Sequence, residues 1–369
     1  MINILYTINF LTNGGPTRVL QNIVYSLDLQ KYNVTILTII NENNSKIVEE
    51  LREYGIKVIE LNYNKKLKEI LKYRKSIIDE INKVNPDIIH THGIVTTFLV
   101  TNHKIRAKKI TTIHNNMYED YKYTYGKIKG FIINQLHINK LKRFDDVECC
   151  SETSYKILKR KLKNVGYIRN GINVKAYKEN TRENIRKELG IAKDDIVYVY
   201  GGYINRRKRV VELVNMFNTN LNKNEWLLIV GKGEEEKEAR KITNNQIKFI
   251  GFKTNIIDYF CASDVYTSYS SSEGFSISII EALSCGLLCF LSDISSHKEC
   301  FEIDEDYYLG ESFNYNDFSK KKKVLSEHLK KIDKEKIKEF QKKYLSAISM
   351  TKEYEKKYEQ LYEKKGRNK

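Results

Sequence analysis

Short apolar runs alternate with longer stretches of three-and-four spacing along almost the whole chain. NILYTI (3–8), NVTILTII (33–40), KVIEL (57–61), DIIHTH (87–92) and KITTIH (109–114) have the length and β-branched content of buried strands. Between them, RVLQNIVYSL (18–27), KIVEELREYG (46–55) and LKEILKYRKSIIDEINKV (67–84) space their apolar residues as one face of a helix. Strand–helix alternation of this kind builds a parallel sheet covered on both faces. The rhythm restarts with DIVYVYGGY (195–203), WLLIVGKG (226–233), QIKFIGF (246–252), SDVYTSYS (263–270) and GLLCFLSD (286–293). Two such sets predict an α/β protein with two Rossmann-like domains, joined near the polar residues 172–185 after YIRNGINVKAY. YLSAISMTKEYEKKYEQLYEKK (344–365) reads as one long helix, with Tyr354, Tyr358 and Tyr362 in a stripe suited to packing.

Length agrees with this division, because 369 residues exceed one ordinary core. No apolar run reaches the roughly 18 residues a spanning helix needs, and MINILYTINF reads as a strand rather than a signal segment. A soluble or peripheral protein is expected. None of the six cysteines falls in a C-x-x-C pair, so metal-ligand spacing is absent and a reducing cytosol is expected. The net charge of +17 is uneven: residues 1–178 hold 30 Lys and Arg against 16 Asp and Glu, the remainder 34 against 31. A basic first half points to an anionic partner, although a solvated lysine-rich surface accounts for charge alone equally well.

Candidate chemistry sits where strands end. Gly14 and Gly15 follow the first strand and precede the first helix, where backbone can approach a phosphate or simply turn. GGYINRRKRVVELV sets Arg206, Arg207, Lys208 and Arg209 after the first strand of the second set, where open α/β sheets bind ligands. Four cations there suit a diphosphate, or make a solvated basic turn. In SSSEGFSISIIEALSCG, Glu273 and Glu281 have seven residues between them. Ser278 to Glu281 fits a capping box, which would make Glu281 structural; the same carboxylate at a helix start also suits the hydroxyls of a ribose. His90, His92 and His114 lie at strand ends with no acid at motif distance, so a metal site is not favoured.

In chain order, GGPTRV, NPDIIHTHG, TTIHNN, CCSETSYKIL, YIRNGIN, GGYINRRKR, EGFSISIIEALSCG and the LLIVGKGE and FIGF segments resemble the retaining glycosyltransferases of family 4 over nearly the whole length. That resemblance implies the GT-B architecture: two Rossmann-like domains facing across a cleft, with the C-terminal helix returning to the first. It implies an acceptor domain over 1–175, a nucleotide-sugar domain over 176–345 and the returning helix over 346–369. It assigns Glu281 to the donor ribose, Glu273 to the transferred sugar, and Lys208 with Arg207 to the diphosphate. His114 is placed near the reacting sugar, and Gly14 and Gly15 in the loop over phosphate and acceptor. Gly231 and Gly233 fall beside the nucleotide, Phe252 to Ile256 around the base, and Phe275 and Ser276 also on the donor. His114, Lys208 and Glu273 are thereby the expected catalytic residues. Two positions depart from the pattern: Gly202 stands where many relatives carry Arg, and Leu288 where Pro is usual.

The activity implied is transfer of a sugar from a nucleotide diphosphate sugar, a UDP-sugar, to a hydroxyl with retained configuration. The donor is a substrate; no cofactor and no metal are expected. The expected acceptor is a glycan, lipid-linked, in capsule, exopolysaccharide or cell-wall glycan synthesis. Alternatives on the same architecture are a non-hydrolysing nucleotide-sugar epimerase and a non-catalytic sugar-nucleotide-binding relative. Nucleic acid is not an expected partner, since stacking motifs and zinc spacings are absent. YKYTYGKIKGFIINQLHINKLKRF (121–144) holds six Lys and Arg, no acid, and interleaved Tyr121, Tyr123, Tyr125 and Phe131. It suits an anionic membrane surface, so a cytoplasmic protein peripheral on the inner face of the plasma membrane is expected. An ordinary helix with a basic polar face is the alternative.

Overall fold

The computed structural model describes residues 1–64, 72–102, 104–173, 181–242 and 244–366. The start of the helix expected over 67–84 and the middle of the expected linker lie outside the described residues. The chain forms two units, one of Met1–Gly171 with Ala347–Lys369, the other of Ile172–Ser346.

The first unit contains β1 (Ile2–Ile8), α1 (Gly15–Ser26), β2 (Tyr32–Ile40), α2 (Ser45–Glu53), β3 (Lys57–Tyr63), α3 (Arg74–Val84), β4 (Ile88–His92), α4 (Ile94–Val100), β5 (Lys108–Ile113), α5 (Met117–Tyr125), α6 (Lys127–Leu141), β6 (Asp146–Cys149), α7 (Glu152–Leu158) and β7 (Val165–Tyr167). Its seven strands run parallel in the order β3-β2-β1-β4-β5-β6-β7. Ile4, Leu5 and Tyr6 on β1 are all buried, as expected for a parallel strand covered on both faces.

The second unit contains α8 (Thr181–Leu189), β8 (Ile196–Gly201), α9 (Val210–Asn218), β9 (Glu225–Val230), α10 (Glu236–Arg240), β10 (Ile247–Gly251), α11 (Ile256–Cys261), β11 (Val265–Ser268), α12 (Ile277–Ser284), β12 (Leu288–Ser292), α13 (Ser295–Phe301), β13 (Gly310–Phe313), α14 (Phe318–Leu329) and α15 (Lys334–Tyr344). Its six parallel strands follow the Rossmann order β10-β9-β8-β11-β12-β13. The long C-terminal helix is present as α16 (Ala347–Gly366) in the first unit, starting three residues later than expected because α15 ends at Tyr344 and Leu345 leaves helical geometry.

Helix α16 is tied into the first unit by hydroxyls. Tyr358 Oη lies 2.8 Å from Tyr6 Oη and 2.7 Å from His90 Nδ1. His90 Nε2 and Tyr354 Oη both meet Thr112 Oγ1, at 2.8 and 2.7 Å. Tyr354 and Tyr358 are buried, whereas Tyr362 is 43% exposed and leaves the stripe. His90 is therefore a satisfied core histidine. Lys357 reaches Asp146 and Glu148, and Lys365 reaches Asp87, extending the tie along the sheet edge.

The basic segment 121–144 is a helical hairpin rather than one helix. Gly126, at φ 81°, ends α5 and starts α6. A Cβ at Gly130 would sit 2.5 Å from the Tyr121 carbonyl oxygen, so the two helices touch backbone to backbone there. Tyr121 turns inward, its hydroxyl 2.6 Å from His137 Nδ1. No helix among the described residues is long and apolar enough to cross a membrane.

Two outcomes follow from these buried groups. Tyr358→Phe removes both hydroxyl contacts and leaves Tyr6 and His90 short of a partner, so urea unfolding should show a loss of about 2 kcal/mol. Tyr362→Phe should stay within about 0.5 kcal/mol of the parent; equal effects would refute the hydroxyl tie. Burial pushes His137 down to about 3 from its ordinary 6.5. Between those values the unfolded chain takes a proton that the folded chain refuses, so stability is lost as pH falls below about 6.5. His137→Gln should reduce the stability lost from about pH 8 to about pH 5 by about 2 kcal/mol. An unchanged pH slope would show that His137 takes its proton in the fold.

Candidate functional site

Each sheet has one place where neighbouring strands send their connections in opposite directions. In the second unit these strands are β8 and β11, paired through Tyr198–Val265 and Val199–Tyr266. Their connections lead to β9 on one side and to β12 on the other. The loops after both strands therefore leave the sheet at one crevice, the usual ligand site of such folds.

The cations after β8 divide their work there. Arg207 Nη1 donates to the Ser272 carbonyl at 2.6 Å and to Glu273 Oε2 at 3.1 Å. Lys208 Nζ donates to Glu273 Oε1. The Arg207 carbonyl accepts from both the amide and the hydroxyl of Ser271, each at 2.9 Å. Arg209 donates to the Tyr269 carbonyl at 3.1 Å and lies 4.2 Å from the centroid of that ring. Arg206 is exposed. The structure thus brings Arg207, Lys208 and Glu273 together, while Arg209 anchors the opposite loop. Glu273 is only 7% exposed. Burial opposes its charge, yet Lys208 and then Arg207 outweigh burial and hold the carboxyl well below the usual carboxylate range. Burial in turn pulls Lys208 below its ordinary value, against the upward pull of Glu273.

His297, which the sequence reading did not single out, supports this loop from below. Its Nδ1 lies 3.0 Å from Ser292 Oγ, and that hydroxyl donates to the Ser270 carbonyl at 2.6 Å. Burial lowers its pKa to about 4, so the ring is neutral near pH 7. Its only sequence signal is its place five residues after the end of β12.

The capping box expected at Ser278 to Glu281 is not formed. Helix α12 starts at Ile277, and its N-cap is Ser276, extended at φ −70° and ψ 121° with no side-chain cap bond. Ser278 is already helical and so is not in cap geometry. Glu281 sits in the second turn and is buried, as is Phe275 just ahead of the helix.

Gly231 and Gly233 are required by loop packing. A Cβ at Gly231 would lie 1.8 Å from the Gly202 carbonyl oxygen, and one at Gly233 would lie 2.0 Å from that of Ile204. The Gly202 and Ile204 amides donate to Val230 and Lys232 across the same seam. Gly202 itself has φ 155°, and a Cβ there would meet the Tyr200 hydroxyl at 3.1 Å. An Arg at this position would be strained on this backbone, so the loop's cations are those at 206–209. Phe252 is exposed after β10, with Lys232 Nζ 4.9 Å from its ring centroid. Ile256 opens α11 beside Gly201.

The first unit carries its own crevice between β1 and β4, whose connections likewise diverge. A cavity of about 370 Å³ opens there. Asn9, Phe10 and Thr12 line it after β1, Gly14 and Thr17 at the start of α1, and His92 at the end of β4. His114 and Asn115 after β5, Asp120 and Tyr121 on α5 and His137 on α6 also line it. His92 Nδ1 and His114 Nε2 are 2.8 Å apart. Burial lowers His114 to about 4 and, chiefly through burial, His92 well below its ordinary value. The cavity's histidines therefore offer neutral donors and acceptors near pH 7. Nothing within 4 Å would obstruct a Cβ at Gly15, and the nearest atom to one at Gly14 is 3.7 Å away, so packing does not dictate glycine there. Gly14 lines the cavity and Gly15 does not. Among the described residues, no group of three His, Cys, Asp or Glu gathers to hold a metal ion.

Residues 13–176 match Glycosyltransferase Family 4, and residues 181–344 match Glycosyl transferases group 1. The O-antigen biosynthesis glycosyltransferase WclY of Escherichia coli is 28% identical over 314 residues, covering 82% of this chain and 83% of WclY. The UDP-Gal:alpha-D-GlcNAc-diphosphoundecaprenol alpha-1,3-galactosyltransferase of Escherichia coli is 24% identical over 274 residues, 68% of this chain and 69% of its own. The crystal structure of Anabaena HepE in complex with UDP and glucose is alike at a TM-score of 0.79 and 15% identity, over 98% of this chain and 100% of that one. The fold is GT-B, as the parallel sheets and the return of α16 to the first unit also indicate. With a family 4 domain followed by a group 1 domain on that fold, the chain belongs to the GT-B glycosyltransferases.

Proposed function

We propose that this glycosyltransferase moves a sugar from a UDP-sugar to a hydroxyl of a lipid-linked glycan, with the anomeric configuration retained, in the synthesis of a capsule, exopolysaccharide or cell-wall glycan. The observation that carries this reading is the Arg207–Lys208–Glu273 cluster at the β8–β11 crevice. Two cations and one carboxylate leave a net positive charge at the strand ends. Negative charge grows on the diphosphate as the sugar bond breaks, and preplaced cations stabilise that charge without reorganising. Glu273 fixes both cations and would lie next to the transferred sugar. Glu281, in the second turn of α12, would take the ribose hydroxyls. The second unit would hold the donor and the cavity of the first unit the acceptor, with His114 hydrogen-bonding a sugar hydroxyl as an uncharged ring. Support for the partners comes from relatives: HepE was solved with UDP, one E. coli relative is named for a diphosphoundecaprenol-linked substrate, and WclY for O-antigen biosynthesis. Association with the anionic inner face of the plasma membrane belongs to the same reading, given the lipid-linked acceptor.

A screen of UDP-, GDP- and dTDP-sugars, by thermal shift and product analysis, tests the donor class. Isomerised donor in the absence of acceptor would turn the reading toward an epimerase. With the active donor, Lys208→Ala should lower kcat by roughly 10- to 150-fold, from the loss of a charge-assisted hydrogen bond of about 1.5–3 kcal/mol. Donor KM should change much less, because the interaction strengthens toward the transition state. A variant that turns over like the parent would remove Lys208 from the chemistry.

Activity should also survive EDTA, since Arg207 and Lys208 would neutralise the diphosphate in place of a metal ion. Loss of activity restored by manganese or magnesium would refute this account of the diphosphate site.

A further inference from the structure

We infer that helix α6 inserts its outer face into an anionic bilayer and so holds one wall of the first unit's cavity at the membrane. This deepens the proposed function and rests on its lipid-linked acceptor. Helix α6 has two distinct faces. Gly130, Asn134, His137, Ile138 and Leu141 are buried. On the other face Ile128, Phe131, Ile132 and Leu136 are 79%, 61%, 52% and 51% exposed. Steps of three and four residues place these four side chains in one ridge along the helix. Single exposed apolar residues are ordinary, but a ridge of four bulky ones marks an interaction surface.

Charge identifies the occupant. Lys127 and Lys129 flank the ridge and are exposed, and residues 121–144 contain no acid. Lys122 contributes least, because Glu119 pairs with it at 3.0 Å. A second copy of the chain would set these cations against their own kind. An anionic bilayer offers both an apolar interior and a negative surface. The ridge stands on a firm base, since the close contact at Gly130 packs α6 against α5. The inner side of the same hairpin supplies Tyr121 and His137 to the cavity. One pair of helices therefore meets the bilayer outside and the acceptor's sugar inside, and a lipid-borne glycan need not leave its membrane to be reached.

The test uses the full chain and vesicles of phosphatidylcholine with or without phosphatidylglycerol. The parent should bind the anionic vesicles more tightly, and added salt should weaken the binding without abolishing it. Combining Ile128→Ser, Phe131→Ser, Ile132→Ser and Leu136→Ser should weaken binding at least roughly 100-fold, given about tenfold or more for each fully buried apolar side chain. Circular dichroism melting should not change, because the replaced side chains are exposed. In a separate Phe131→Trp variant, the emission of the introduced indole should shift to the blue on binding and be quenched by acyl-brominated lipid. Trp226, the parent chain's one tryptophan, lies in the second unit and sets the background. Transfer to a short water-soluble acceptor should persist in the serine variant. Vesicle binding by the serine variant equal to the parent's, no lipid quenching in the Phe131→Trp variant, or a parent dimer that the serine changes dissociate would overturn the inference. Soluble transfer without vesicle binding would overturn it and leave the proposed function standing. Ridge-dependent vesicle binding without any transfer would uphold the insertion and remove the proposed function.

Discussion

A parallel sheet whose first strand lies in the middle must send consecutive connections away in opposite directions, and the gap that results is where this protein gathers its polar chemistry. Both units obey this constraint, at β1 and β4 in one and at β8 and β11 in the other. Elsewhere the strands bury mostly apolar and aromatic side chains, with Thr among them. At the gaps, loops can carry groups that a strand interior would exclude. Charge is tolerated there only as a set. Lys208 or Glu273 alone would face the penalty of a buried unpaired ion, whereas together with Arg207 they offset one another. The backbone seam between Gly202–Ile204 and Gly231–Gly233 then fixes the loop that carries both cations.

The two gaps differ in electrostatic character. The second unit places a net positive cluster at its crevice. The first presents histidines that burial keeps neutral, together with amides, hydroxyls and the carboxyl group of Asp120. Under the proposed function, that contrast would separate a partner that carries diphosphate from one recognised through sugar hydroxyls.

Ten strands were legible because each is a compact apolar run between turn residues. Strands β6, β7 and β13 were not: each has three or four residues, and their Asp146, Glu148, Gly166 and Glu311 break any pattern, so their pairing is decided by the neighbouring strand. The break at Leu345 and Ser346 was hidden because helical spacing continues through it. At the site, resemblance singled out Lys208 and Glu273 as separate positions. Their ion pair joins residues 65 apart, a contact that only the folded sheet creates. Ser278 and Glu281 matched a capping box in spacing, but the helix begins two residues too early for Ser278 to cap it. His137 and His297 carried no local pattern, because each owes its position to packing between elements. The basic segment 121–144 was legible as amphipathic, yet Gly126 folds it into a hairpin and turns Tyr121 inward, which changes the face that remains outside.

The return of α16 has a consequence for the order of synthesis. The second unit is one uninterrupted stretch, Ile172–Ser346, whereas the first needs Ala347 and the residues beyond it. On a ribosome the second unit can leave the exit tunnel complete and fold as a continuous chain. The first must wait, with Tyr6 and His90 lacking the hydroxyl of Tyr358 until the last helix is made. The half of the enzyme that is translated first is thus the half that is finished last, and a chain that stops short of α16 would release a folded second unit attached to an incomplete first one.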